Sequence, residues 1–315
     1  MTCYYPNNAH VAGLRPTGTK IIKFGLPKSS KHEALLLPCG QCIGCRLDYS
    51  QMWAVRAMHE AQTKEDNAFI TLTYNDENLP HDGSLIPNHT RQFIKRLRRR
   101  LGPLRYLLCG EYGESVGHRP HYHALIFGQD FADKELFSES EGILTYTSEI
   151  LSSVWNKGFV TTADLTIESA AYVARYNLKK VNASQTSEDK YHAHYERVCE
   201  TTGEIRQLHK EYAHMSTNPG IARDWYNKYN SDIFPYDTTI HNGKRVKTPR
   251  YYENLLRSSD PGTFEEIKAE RRRRAAMHAD NNTPARLRVR EKVKKASIQN
   301  LTRVLHSETP HIYNP

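Results

Sequence analysis

Four short apolar runs decide most of what this chain can become: AFITLTY (68–74), LRYLLCGEYG (104–113), RPHYHALIFG (119–128) and FVTTADLTI (159–167). Each is strand-length, rich in β-branched or aromatic residues, and bounded by turn residues. In the first, Thr71 and Thr73 face one way while Ile70, Leu72 and Tyr74 face the other. Between the first two runs, NHTRQFIKRLRRRLG (88–102) follows Pro87 and stops at Gly102 and Pro103, the punctuation of a helix with a basic face. Only a short Gly-containing loop separates the second run from the third, which predicts a hairpin. SEILSSVWNKG (148–158) and ESAAYVARYNLKKV (168–181) predict helices on either side of the last strand, the second starting near Glu168 or Ser169. The order β, α, β, β, α, β, α calls for an antiparallel sheet covered by helices on one face, an α+β fold.

Outside this frame the chain changes character. The first 38 residues are Pro- and Gly-punctuated and basic, and end in the apolar stretch 34–37 and PCGQCIGC (38–45). Leu47, Met52, Val55 and Met58 are spaced as on an amphipathic helix over 48–62, with Asp48 or Ser50 placed to cap it. Residues 130–141 read as a looser acidic linker, and 182–215 as a polar insertion with a hairpin at ETTGEI. From Asp260 onward the sequence is basic and helix-prone. Lys plus Arg number 44 against 35 Asp plus Glu, a net charge of +9, which favours a polyanionic partner. No apolar run approaches the roughly 18 residues of a spanning helix, and the N-terminus lacks the regions of a secretory signal. The expectation is a soluble intracellular protein with no membrane partner.

His121 and His123 are separated by one residue on a predicted strand, so their imidazoles project to one face and can grip one cation. With 16 histidines in the chain, about one such pair arises by chance. His192 and His194 repeat the spacing in KYHAHYER, where no apolar alternation makes a strand. What distinguishes the first pair is its context. Glu111, or alternatively Glu114, ends the neighbouring strand of the predicted hairpin and can add an oxygen ligand. Two nitrogens and one carboxylate leave coordination sites open, as Mg²⁺ or Mn²⁺ needs to polarise a phosphate.

Tyr172 and Tyr176 lie four apart in AAYVARYNLKK, as do Tyr176 and Lys180, which puts two phenols and an ammonium on one helical face. A phenol with a pKa near 10 attacks phosphorus usefully only beside a cation, a role open to Lys179 and Lys180. The competing reading is that both tyrosines are core residues of a sheet-covering helix.

Cys39, Cys42 and Cys45 form CxxCxxC, and Cys3 can complete a four-thiolate set, for which structural Zn²⁺ is preferred to an iron–sulfur cluster or free thiols. Lys95, Arg96, Arg98, Arg99 and Arg100, together with Arg271, Arg272, Arg273 and Arg274, are candidates for contacts to a phosphate backbone. No GxxxxGK[ST] phosphate loop occurs.

With RPHYHALIFG and YVARYNLKK in this order, the chain resembles the His-hydrophobic-His (HUH) replication initiators of small single-stranded DNA phages, the microviruses, and within them the gokushoviruses. PCGQCIGCRLDYSQMWAVRAMHEA, FITLTY, LCGEYGE, VWNKGFV, MSTNPGIARDW and TPRYY carry the resemblance further, over roughly residues 35 to 300. It implies a ferredoxin-like sheet bearing the histidines and a divalent metal held by His121, His123 and Glu111. It also implies site-specific nicking of viral DNA by Tyr172 and Tyr176, a 5′-phosphotyrosine link, a free 3′-OH, and rejoining after one round. Single-stranded and supercoiled viral DNA, a host helicase and a host polymerase are the implied partners, in the cytoplasm of a bacterial host. The expected organisation is a Cys-rich segment and helix (1–62), an HUH endonuclease core (63–185), a polar insertion with the C-terminal part of the core (186–258) and a basic helical tail (259–315). A non-catalytic nucleic-acid-binding protein with structural zinc, or a metal-dependent nuclease using water, stands as the alternative.

Overall fold

The apolar runs form strands, and their alternation decides what each face presents. The structure is a computed structural model that describes residues 2–16, 20–27, 32–113, 118–140, 142–175, 188–198, 202–241 and 243–298. Its chain divides into two compact units, Met1–Tyr49 with Leu256–Leu301, and Ser50–Leu255 with Thr302–Pro315. Residues 302–315 lie outside the described set.

In the smaller unit, the N-terminal segment read as irregular builds three antiparallel strands, β1 (Asn7–Leu14), β2 (Lys20–Phe24) and β3 (Ala34–Leu37), in the order β2-β1-β3. Helix α1 (Ile43–Ala61) begins inside the cysteine motif, five residues before Asp48. Asp48 and Ser50 therefore sit within the helix, and Asp48 accepts a hydrogen bond from Thr2. The cap rule looked for a polar residue ahead of the apolar periodicity, whereas the cysteines start this helix. The basic helices Pro261–Ala276 and Pro284–Ile298 belong to the same unit as residues 2–49, and Tyr5 Oη donates to Glu291.

The larger unit carries β4 (Asn67–Thr73), α2 (Pro87–Leu101), β5 (Arg105–Tyr112), β6 (Pro120–Phe127), β7 (Glu135–Ser140), β8 (Ile143–Thr147), α3 (Glu149–Trp155), β9 (Val160–Asp164) and α4 (Ile167–Ala174). After α5 (Glu188–Tyr195) and the short pair β10 (Glu196–Val198) and β11 (Ile205–Gln207), β12 (Tyr212–Met215) returns to the main sheet. That sheet has seven strands in the order β12-β5-β6-β4-β9-β8-β7, antiparallel throughout. The fold is thus mixed α/β around a large antiparallel sheet. Residues 135–140, read as linker, form its edge strand. Their side chains are almost all exposed, so ELFSES carries no buried alternation for a sequence pattern to register.

Helices cover both faces of the sheet. On one, Ile70, Leu72, Tyr74, Leu108, Tyr122, Ala124 and Ile126 pack with Phe93, Ile94 and Leu97 of α2 and Leu151, Val154 and Trp155 of α3. Each large side chain buried there contributes about 1.5–3 kcal/mol. The buried phenols are satisfied: Tyr74 Oη lies 2.9 Å from Tyr122 Oη, which accepts from the Ile86 amide at 2.8 Å. The VWNKGFV motif fastens α3 to this core. Trp155 Nε1 donates to the Thr73 carbonyl at 2.9 Å, and the Phe159 amide reaches the same carbonyl at 3.0 Å. Gly158 passes so close to the backbone of Thr73, Tyr74 and Asn75, at φ +142°, that a Cβ has no room. Helix α4 lies against β5 and β6 on the opposite face, where Tyr172 meets the side chains that alternate with Tyr122.

Candidate functional site

Antiparallel register brings the polar residues of that second face together. Glu111 stands directly opposite His121 across β5 and β6, Cys109 opposite His123, and on the other flank of β6 Thr71 of β4 pairs with His123. Because β6 is an interior strand, both histidines are held by ladders on two sides. Glu111 and His123 are 1% and 0% exposed, and His121 is buried beside them.

The orientation of each ring has a cause. His121 Nδ1 lies 3.1 Å from the Arg119 carbonyl, which only accepts, so Nδ1 carries the proton and Nε2 presents a lone pair. Thr71 Oγ1 lies 3.1 Å from His123 Nδ1 and holds that ring in the same sense, while Phe69 stacks on it at 5.5 Å between ring centres. Both Nε2 atoms turn to one carboxylate oxygen, Glu111 Oε1, at 3.3 Å for His121 and 3.4 Å for His123. Lone pairs and negative charge converging in a buried space call for a proton or a cation between them.

Tyr172 joins the same oxygen. Its hydroxyl donates to Glu111 Oε1 at 2.9 Å, and its ring meets His123 edge-on at 4.9 Å between centres. A capping box between Thr166 and Ser169 starts α4, one turn before Tyr172, so the helix start expected at Glu168 or Ser169 falls at Ile167. Tyr172 is 4% exposed. Its neighbour on the next turn is Arg175, whose Cζ lies 5.9 Å from the phenol ring. Burial pushes the Arg175 guanidinium below its usual value, while the charges of Tyr172 and Glu111 hold it up. Arg175 was not among the expected site residues, although its spacing from Tyr172 was legible as same-face placement on a helix.

Glu111, His121 and His123 thus meet as a group that could hold a metal ion, with ligand atoms all within 4.8 Å of one another. The separations of 3.3 and 3.4 Å are those that two ligands about 2.1 Å from one ion make at roughly 105°. The donor set therefore fits a divalent cation. Cys3, Cys39, Cys42 and Cys45 make the second such group among the described residues, in the smaller unit. Glu114, Tyr176, Lys179 and Lys180 lie outside the described residues.

The decoy pair goes elsewhere. His192 and His194 stand on α5, His192 Nδ1 facing Glu196 at 2.6 Å and His194 Nε2 facing Glu211 at 3.1 Å. Of the basic residues on α2, Arg96 donates to the Trp155 carbonyl and Arg98 to the Leu104 carbonyl, while Lys95, Arg99 and Arg100 are exposed. Helix α2 covers the sheet face opposite the histidines, so none of the five adjoins them. Arg273 and Arg274 pair with Glu270 on their own helix, Arg272 lies 3.9 Å from Glu265, and Arg271 is half-buried. No helix among the described residues is long and apolar enough to cross a membrane.

Comparison with known proteins adds an independent line. Residues 67–181, which contain the whole histidine and tyrosine region, match the family model described as replication-associated protein ORF2. The chain is 35% identical over 272 residues to replication-associated protein VP4 of Bdellovibrio phage phiMH2K, covering 82% of this chain and 79% of that protein. It is 34% identical to replication-associated protein ORF2 of Spiroplasma virus 4, over 70% of this chain and 67% of the relative. With replication-associated protein ORF4 of Chlamydia phage 1 the identity is 29%, over 72% and 55%. No solved structure matches the chain.

Proposed function

Since the chain belongs to the replication-associated proteins of microvirus-like phages, we propose that it is an HUH-type endonuclease that opens rolling-circle replication by tyrosine attack on origin DNA. One observation carries the reading: a phenol, two imidazoles and a carboxylate converge on a single oxygen, Glu111 Oε1, within 2.9 to 3.4 Å. A structural core tyrosine needs no such company. The histidine pair on an interior strand of an antiparallel sheet supports the HUH fold as well.

In this reading His121, His123 and Glu111 hold a divalent cation, Mg²⁺ or Mn²⁺. Such an ion supplies Lewis-acid polarisation of the scissile phosphate. The chain's own residues do the rest. Thr71 and the Arg119 carbonyl keep both imidazoles in the ligating tautomer. Glu111 receives the hydrogen bond of Tyr172 and can take its proton as the phenol oxygen attacks phosphorus. A bond forms between that oxygen and phosphorus, the P–O3′ bond breaks, and the 3′-oxygen leaves as a hydroxyl after gaining a proton. The product is a 5′-phosphotyrosine ester with a free 3′-OH for primer extension. Arg175 offsets the negative charge that develops beside Tyr172. Tyr176 serves as the second nucleophile, which lets the ester be transferred and the circle rejoined, with Lys179 and Lys180 as flanking cations. Lacking a phosphate loop, the protein relies on a host helicase for unwinding and a host polymerase for synthesis, in the bacterial cytoplasm. The exposed Lys and Arg residues of α2 and of helix Pro261–Ala276 hold backbone phosphates away from the cut.

The test is incubation of purified protein with supercoiled and single-stranded circular replicon DNA and Mn²⁺ or Mg²⁺, followed by denaturing electrophoresis. A DNA-linked protein band is expected, absent with EDTA and in the Tyr172→Phe, Tyr176→Phe double variant. Nicking that survives the double variant assigns the nucleophile to water, and binding without nicking leaves a DNA-binding module.

A further inference from the structure

The chain delivers four thiols to one place from separate segments of the smaller unit. Cys3 precedes β1 and Cys39 follows β3, and because Asn7 pairs with Leu37, strand pairing brings both cysteines to one end of the sheet. Cys42 and Cys45 flank the first turn of α1, three residues apart and so on one face. All four sulfurs lie within 4.8 Å of one another, Cys42 Sγ 4.0 Å from Cys3 Sγ, and none of the four is in a disulfide. Backbone amides point at them: Cys39 N–H at Cys3 Sγ (3.2 Å), Cys42 N–H at Cys39 Sγ (3.3 Å) and Tyr4 N–H at Cys42 Sγ (3.4 Å). Amide donors aimed at sulfur favour the thiolate, the ligating form. The crossing is tight enough that residue 44 must be glycine, since a Cβ there would run into the Thr2 carbonyl.

We propose that Cys3, Cys39, Cys42 and Cys45 bind one zinc ion in a closed, four-coordinate structural site that ties the N-terminal strand to the start of α1. Zinc–sulfur bonds of about 2.3 Å place tetrahedral thiolates about 3.8 Å apart, close to the spacing present. A disulfide requires sulfurs about 2.05 Å apart, and an iron–sulfur cluster spreads its thiolates around several irons. With all four positions filled by protein, no site is left for water or substrate, so this ion acts on the fold and leaves chemistry to the histidine site. It also accounts for why α1 starts at the cysteines without a polar cap.

The experiment uses the full chain, purified without added metal. Elemental analysis should give about one zinc per chain, retained in the His121→Ala, His123→Ala variant and reduced to less than about a tenth in Cys39→Ser, Cys42→Ser. Because loss of ligands can unfold the unit, the unmodified protein is measured too. An organomercurial thiol reagent should release its zinc stoichiometrically, and cobalt exchange should yield a thiolate-to-metal charge-transfer band with the intense visible bands of tetrahedral Co²⁺. Purified protein whose cysteines titrate as free thiols without bound metal overturns the proposal. So does iron with acid-labile sulfide, or zinc that persists when the cysteines are replaced.

Discussion

Glu111→Gln isolates the contribution of the carboxylate, because glutamine keeps the side chain's shape and can still accept from Tyr172 through its amide oxygen. What it removes is the negative oxygen shared by His121 Nε2 and His123 Nε2 at 3.3 and 3.4 Å. Deleting an outer-shell partner of a metal lowers affinity by about 10- to 100-fold, so loss of a direct ligand should weaken binding by at least about 100-fold. A cation at about 100 times its Kd stabilises the folded wild type by about 2.7 kcal/mol, and at the same concentration the variant gains only about 0.4 kcal/mol. For a unit of this size, 1 kcal/mol corresponds to about 2–4 °C in Tm. Wild-type protein should therefore melt roughly 5–11 °C higher in saturating Mn²⁺ than in metal-free buffer, and Glu111→Gln roughly 1–2 °C higher, as followed by circular dichroism. Equal Mn²⁺-induced shifts in the two proteins would refute the assignment of Glu111 as a ligand.

Three further outcomes follow from the geometry. Arg175→Gln should slow covalent adduct formation on a single-stranded oligonucleotide by about 100-fold, with Arg175→Lys recovering part of it; an unchanged rate would remove Arg175 from the site. His59 is held down to about 3 by burial, with the His241 charge adding to it, and lies 3.5 Å from Trp225 in a stacked pair. Its folded value is below the unfolded value near 6.5, so the folded state is favoured above that pH and loses stability as pH falls from about 6.5 toward 3. Between pH 7 and 5 that is about 2 kcal/mol, which urea titrations should register in the wild type and find diminished in His59→Gln. Gly158→Ala should destabilise the larger unit by several kcal/mol, since backbone on three sides leaves nothing to yield; an unchanged urea midpoint would contradict the close approach.

Strand periodicity was legible without coordinates because side-chain alternation depends only on the local backbone. The same local rule placed His121 and His123 on one face and made 192–194 a poor candidate, which in the structure is helical. The edge strand at 135–140 escaped because an exposed strand has no apolar signature. The start of α1 escaped because thiol clustering, a nonlocal event, set it.

Composition and periodicity alone determined that this chain has an antiparallel sheet, a histidine pair able to share a cation and a tyrosine-bearing helix after the last core strand. Only the tertiary structure decided that Glu111 is the acid at the pair, because hairpin register sets it opposite His121. It alone brought Thr71 to the His123 ring and Tyr172 and Arg175 to Glu111, since those approaches cross from strand to strand and from helix to sheet. Residues distant in sequence meet through packing and pairing, and no local pattern encodes the distance between them.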